Sequence, residues 1–166
     1  MASGFRSGMA VAAMLTLGLA WPERDAGAAP FINIVNDALV LTPTPTDYAN
    51  DYVEATGAAG LAVKVKNTST NGLMLLVRAS SAAPSIAPGD LLVRTLTPPG
   101  VGGTTLSTYT VLGPTNMTLW TSGVPQGPFI EVDMDVRIRN LYNYDDTGSV
   151  GTTPYTNTLI FTVIEP

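Results

Sequence analysis

The sequence predicts an all-β chain, folded as a single antiparallel β-sandwich of about seven to nine strands with Greek-key crossing. Three observations lead there. Apolar residues recur with period two over most of the chain, as in "GLAVKVKN" (60–67) and "IEVDMDVRIR" (130–139). Gly, Pro, Asn and Asp clusters interrupt these runs at short intervals. No window after the first thirty residues carries apolar residues at i, i+3, i+4 and i+7 free of Gly, Pro or β-branched runs.

The first thirty residues stand apart. Arg6 gives a positive start, Met9 to Trp21 is an uncharged apolar run, and Ala26–Ala28 reads "AGA". That is the layout of a secretory signal peptide over residues 1–28. The apolar run is shorter than the ~20 residues a membrane-spanning helix needs, so no stable membrane span is expected after cleavage. The remaining domain, residues 29–166, is expected to be secreted to the periplasm, the cell surface or the medium.

From Ala29 the strands follow in order. "FINIV" (31–35) is apolar on both faces except at Asn33, so it reads as a covered strand; "ALVLT" (38–42) reads as a second. "PTPTDYAND" (43–51) is a turn-rich connection. "GLAVKVKN" puts Leu61, Val63 and Val65 on one face and Lys64 and Lys66 on the other. "LMLLVRAS" (73–80) follows the "NTSTNG" loop and is expected to pair antiparallel with it as a hairpin. "LLVRTL" (91–96), "LSTYTVL" (106–112), "MTLWTS" (117–122), the long "FIEVDMDVRIRNLY" (129–142) and "YTNTLIFTVIE" (155–165) complete the set.

The composition excludes several chemistries. There is no Cys and no His, so disulfides, thiolate metal sites and Ser-His-Asp or Cys-His nucleophiles are ruled out. The net charge is −5, and the basic residues beyond the leader (Lys64, Lys66, Arg78, Arg94, Arg137 and Arg139) form no run. A nucleic-acid partner, which needs a basic stripe, is not expected. No cofactor and no catalytic residue are assigned.

The densest charge lies in "IEVDMDVRIR". Glu131, Asp133, Asp135, Arg137 and Arg139 alternate with apolar residues, so a strand places them all on one face. That face is read as solvated, with Lys64 and Lys66 as cross-strand partners for the acids. Asp133 and Asp135 are ~7 Å apart along a strand and do not readily chelate one ion. Asp145 and Asp146 in "NYDDTG" are the candidate Ca²⁺ ligands, against the plainer reading of a hairpin turn. A paired-carboxylate glycosidase site would need acids facing each other across a cleft. A carbohydrate platform would draw on Trp120, Tyr109, Tyr142, Tyr144 and Tyr155, residue types that also fill cores. Asn67-Thr68-Ser69 and Asn116-Met117-Thr118 match the glycosylation pattern, which carries no weight in a bacterial host.

"INIVNDALVLTPTPTDYANDYVEATGAAGLAVKVKNTSTNGLMLLVRAS" resembles the front half of bacterial secreted β-sandwich domains of the pilin-like and spore-coat-U-like kind, which are immunoglobulin-like in architecture. "VDMDVRIRNLYNYDDTGSVGTTPYTNTLIFTVIEP" resembles their end, with "GTTPY" as the approach to the final strand. Those families often carry cysteines, and this chain has none. The resemblance implies a surface or fibre-forming structural protein without catalytic residues. The partner is then the chain itself or another surface protein, joined through an edge strand. Phe31, Ile32, Ile34 and Val35 are the candidate strand-donor segment, with Ile32 and Ile34 as plugs. The competing reading keeps that segment as the first strand of its own sheet.

Overall fold

The computed structural model describes residues 30–36, 38–67, 70–80, 86–96, 102–144 and 155–166. The expected signal peptide (1–28) and the candidate Ca²⁺ ligands Asp145 and Asp146 lie outside the described residues.

Among the described residues ten strands form two antiparallel sheets, packed together as a sandwich. They are β1 (Phe31–Ile34), β2 (Tyr52–Ala55), β3 (Leu61–Asn67), β4 (Leu73–Ser80), β5 (Leu91–Thr95), β6 (Thr104–Thr105), β7 (Thr110–Val111), β8 (Met117–Ser122), β9 (Gln126–Arg139) and β10 (Thr158–Ile164). The larger sheet runs β1-β3-β9-β5-β7, with β2 on the edge of β9 beyond the end of β3. The smaller runs β10-β4-β8-β6.

The core lies between the sheets because each long strand is apolar on one face. Val63 and Val65 of β3, Val132, Met134 and Val136 of β9, and Val93 of β5 meet Leu73, Leu75 and Val77 of β4. Opposite Leu75 and Leu76 of β4, the register of β8 slips by one residue. This bulge turns both Leu119 and Trp120 inward, where a regular strand would bury only one of them.

β3 and β4 do not form the expected hairpin. They lie in different sheets, so the chain passes from one sheet to the other between them. The same turn residues serve a hairpin or a crossing; the outcome follows from apolar faces that meet across the core instead of lying side by side. β8 and β9 cross in the same way, directly beside them, since β3 pairs β9 and β4 pairs β8. The two crossings hold each other. The buried Asn67 amide donates to the Gly72 carbonyl, and Gln126 Nε2 donates to Ser122 Oγ at 2.7 Å. Gly72, at φ +78°, is pressed so closely on the Ser122 carbonyl that a Cβ there would sit 2.0 Å from it. Asn67, the first residue of a glycosylation-like triplet, is therefore a buried structural residue.

Residues 43–51, expected as a turn, contain the one α-helix among the described residues, α1 (Pro45–Asn50). Thr44 and Asp47 form a reciprocal capping box, Pro45 opens the first turn, and Asp51 at φ +58° ends the helix. "ALVLT" is not a strand of either sheet. "LSTYTVL" is not one long strand: only β7 falls within it, and the stretch carries the chain from β6 in the smaller sheet to the larger sheet. Between them the Leu106 amide donates to Leu119 O at 2.8 Å, and its carbonyl accepts from Thr95 N at 2.7 Å. One residue thus ties the two sheets together.

Candidate functional site

The outer face of β9 carries the charged row. Lys64 lies opposite Glu131 in register and pairs with it at 3.3 Å, as expected. Among the described residues Lys66 pairs with no acid; its ammonium sits 5.4 Å from the centre of Phe31 and 5.2 Å from that of Phe129.

The larger departure is Asp135. It is 1% exposed, not solvated. β2 and β3 share one edge of β9, so the turn joining them (Gly57–Ala59) lies close to the strand and over this side chain. Gly57 N donates to Asp135 Oδ1 at 2.8 Å and Arg94 Nε to Oδ2 at 2.7 Å. The Asp135 bond in turn holds the Arg94 guanidinium even more firmly in its charged form. Both carboxylate oxygens of Asp135 thus hold an internal partner.

A second acid closes the network. Glu54 Oε2 accepts from Arg137 Nη2 at 2.6 Å, Arg137 Nε at 2.9 Å and the Tyr109 hydroxyl at 2.9 Å. Tyr52, Arg137, Tyr109 and Arg94 form a ladder, with guanidinium-to-ring distances of 4.2, 3.9 and 4.5 Å. Burial, and then the bond to Glu54, push the Tyr109 hydroxyl up to about 12. Tyr52 and Glu54 were legible as outward residues of an alternating "YVEA", with Val53 and Ala55 buried. Of the acids on this face, among the described residues, Asp133 alone lacks a cation. Burial, then the Glu131 and Asp135 charges, raise it above the usual aspartate range.

At the far end of β9, Asp90 is buried and accepts from Asn140 Nδ2 and, at 2.6 Å, from the Tyr144 hydroxyl. Burial and that bond push Tyr144 up to about 12. Asp51 Oδ1 takes the Leu141 amide at 2.9 Å, so this cluster ties α1 and β5 to the end of β9.

The aromatic set does not make a platform. Trp120 is 1% exposed and belongs to the core; Tyr109 is stacked between two arginines; Tyr144 and Tyr155 pack edge to face. Tyr142 remains exposed. The concavity formed by Leu75, Leu119, Val132, Met134 and Phe161 is apolar and interior. Among the described residues no three His, Cys, Asp or Glu come together as a metal cluster, and no helix is long and apolar enough to cross a membrane.

The edges are the remaining candidates. β1 lies on its own chain's β3, with Phe31 opposite Lys66, Ile32 opposite Val65 and Ile34 opposite Val63. Ile32 and Ile34 are half-buried against the core, while Phe31 and Val35 are exposed. β1 ends the larger sheet and β10 ends the smaller, close to each other. Compared with known protein families, curated proteins and solved structures, the chain matches none.

Proposed function

We propose that the protein is a secreted, non-enzymatic structural or adhesive component of a bacterial surface, which assembles by adding strands at the edges of its sandwich. The observation that carries this reading is the side of the sandwich bounded by β1 and β10. "FINI" and "TLIFTVI" contain no charge and no proline, the devices by which edge strands usually resist pairing. β1 is only four residues long and contributes only two inward side chains, so exchanging it for an equivalent strand costs little. The charged face around β9 adds support from the other direction, since Asp135 of β9 and Glu54 of β2 are held in internal pairs.

Size-exclusion chromatography with light scattering tests it, on the chain from Ala29 beside one starting at Asn36. The expected result is concentration-dependent assembly of the first that is lost or altered in the second. A strict monomer at high concentration, with no association with a bacterial surface, overturns the reading.

A further inference from the structure

We infer that residues 38–42 are a preformed, unpaired strand through which two copies of this chain pair antiparallel, with Val40 opposite Val40. The inference goes beyond the edge-assembly reading: it adds a contact outside both sheets and names a second copy of the chain as the partner.

"ALVLT" has the side-chain alternation of a strand without a ladder. Leu39 and Leu41 are half-buried, Leu39 against the core, while Ala38, Val40 and Thr42 point outward. Val40 is 84% exposed, more than any other large apolar side chain among the described residues. Among those residues, 38–43 make no backbone–backbone hydrogen bond, and no side chain bonds to their backbone. β1 and β10 each already spend one edge inside the molecule. Among the described residues this segment spends neither. Backbone N–H and C=O groups beside half-buried leucines gain from a partner, and an extended chain supplies one.

Both ends of the segment are held, which lowers the ordering cost of pairing. Upstream, the Val35 and Asn36 amides both reach Ala62 O, and Asn36 Nδ2 donates to Gly60 O. Downstream, Thr44 is locked to Asp47 in the capping box of α1. Pro43 lacks an N–H and limits the pairing window to residues before it.

Charge and sequence select a second copy as the occupant. The chain carries a net charge of −5, so two copies repel except where they meet through an uncharged surface. Residues 38–42 carry no ionisable side chain. The stretch is also complementary to itself: centred on Val40, Ala38 of one copy faces Thr42 of the other, and Leu39 faces Leu41. Such a two-fold contact is isologous and closes at a dimer.

Cross-linking tests this directly, because the chain has no cysteine of its own. Directly opposed residues of an antiparallel pair have Cα atoms about 4.5–5.5 Å apart, within disulfide range. Val40→Cys is expected to form disulfide-linked dimers at least about tenfold faster under mild oxidation than Val124→Cys, an exposed site elsewhere in the fold. Val40→Lys, which sets two like charges face to face, is expected to weaken dimerisation at least about tenfold with an unchanged melting temperature. Equal cross-linking at the two sites in a protein that self-associates overturns this contact and leaves the edge-assembly reading standing; pairing through β1, through β10 or with a different protein would give that result. A wild-type protein that stays monomeric at every concentration overturns both.

Discussion

The two sides of the sandwich end differently. On the β6–β7 side the chain steps from one sheet to the other within a few residues, and Leu106 bonds to both, through its amide to Leu119 and its carbonyl to Thr95. Each of the two edge strands there is only two residues long. On the β1–β10 side the sheets end in strands of four and seven residues, and among the described residues no backbone bond joins the two. The first side spends the Leu106 backbone groups on tying the two sheets. The second makes no such tie among the described residues and ends in longer outer edges. One fold therefore holds a closed edge and an open one, and the difference lies in backbone accounting more than in composition.

The contrast breaks most visibly through Trp120, which lies opposite Thr105 at the closed side. Trp120→Ala leaves a large cavity in the core and is expected to cost about 3–5 kcal/mol, measured by urea denaturation. Ile34→Ala on the open side, half-buried, is expected to cost only about 1 kcal/mol in the same assay. Equal losses would mean that the open side is as firmly packed as the closed one.

A smaller effect sharpens the closed side. Thr95 is buried, and among the described residues its hydroxyl has no hydrogen-bond partner, while its amide is the one that bonds Leu106. Thr95→Val keeps the shape and the backbone bond and removes an unsatisfied oxygen. It is expected to stabilise by up to about 1 kcal/mol.

The smallest effect depends on pH. The folded state raises Asp133, so its contribution is most favourable below the ordinary aspartate range and is lost as pH rises through the folded value. Asp133→Asn is therefore expected to gain about 0.5 kcal/mol or less at pH 7 and nothing at pH 3, read as the difference in melting temperature at the two pH values. A gain of the same size at both would assign the effect to something other than charge.

The strands with strong alternation were legible from sequence. β3, β9 and β10 follow their period-two patterns, and the Lys64–Glu131 pair follows from them. Other features depend on distant partners. Whether "NTSTNG" folds as a hairpin or passes to the other sheet depends on which faces meet, not on the turn residues. Asp135 is buried by Gly57, which lies 78 residues away in the chain. The alternation of "ALVLT" is present in its side-chain exposure, but alternation alone does not tell whether a ladder partner exists. The helix at Pro45–Asn50 was legible and missed: Thr44, Pro45 and Asp47 spell a capping box that the prolines disguised as a turn.

The placement of β1 and β10 also has a mechanical meaning. They are the first and last strands of the sandwich and lie on the same side of it. A protein tethered at one terminus and pulled at the other is loaded there first. Tension reaches the four residue pairs of β1 and the seven of β10 before it reaches Leu106. The closed side, with Trp120 behind it, would hold its shape while the open side gives way.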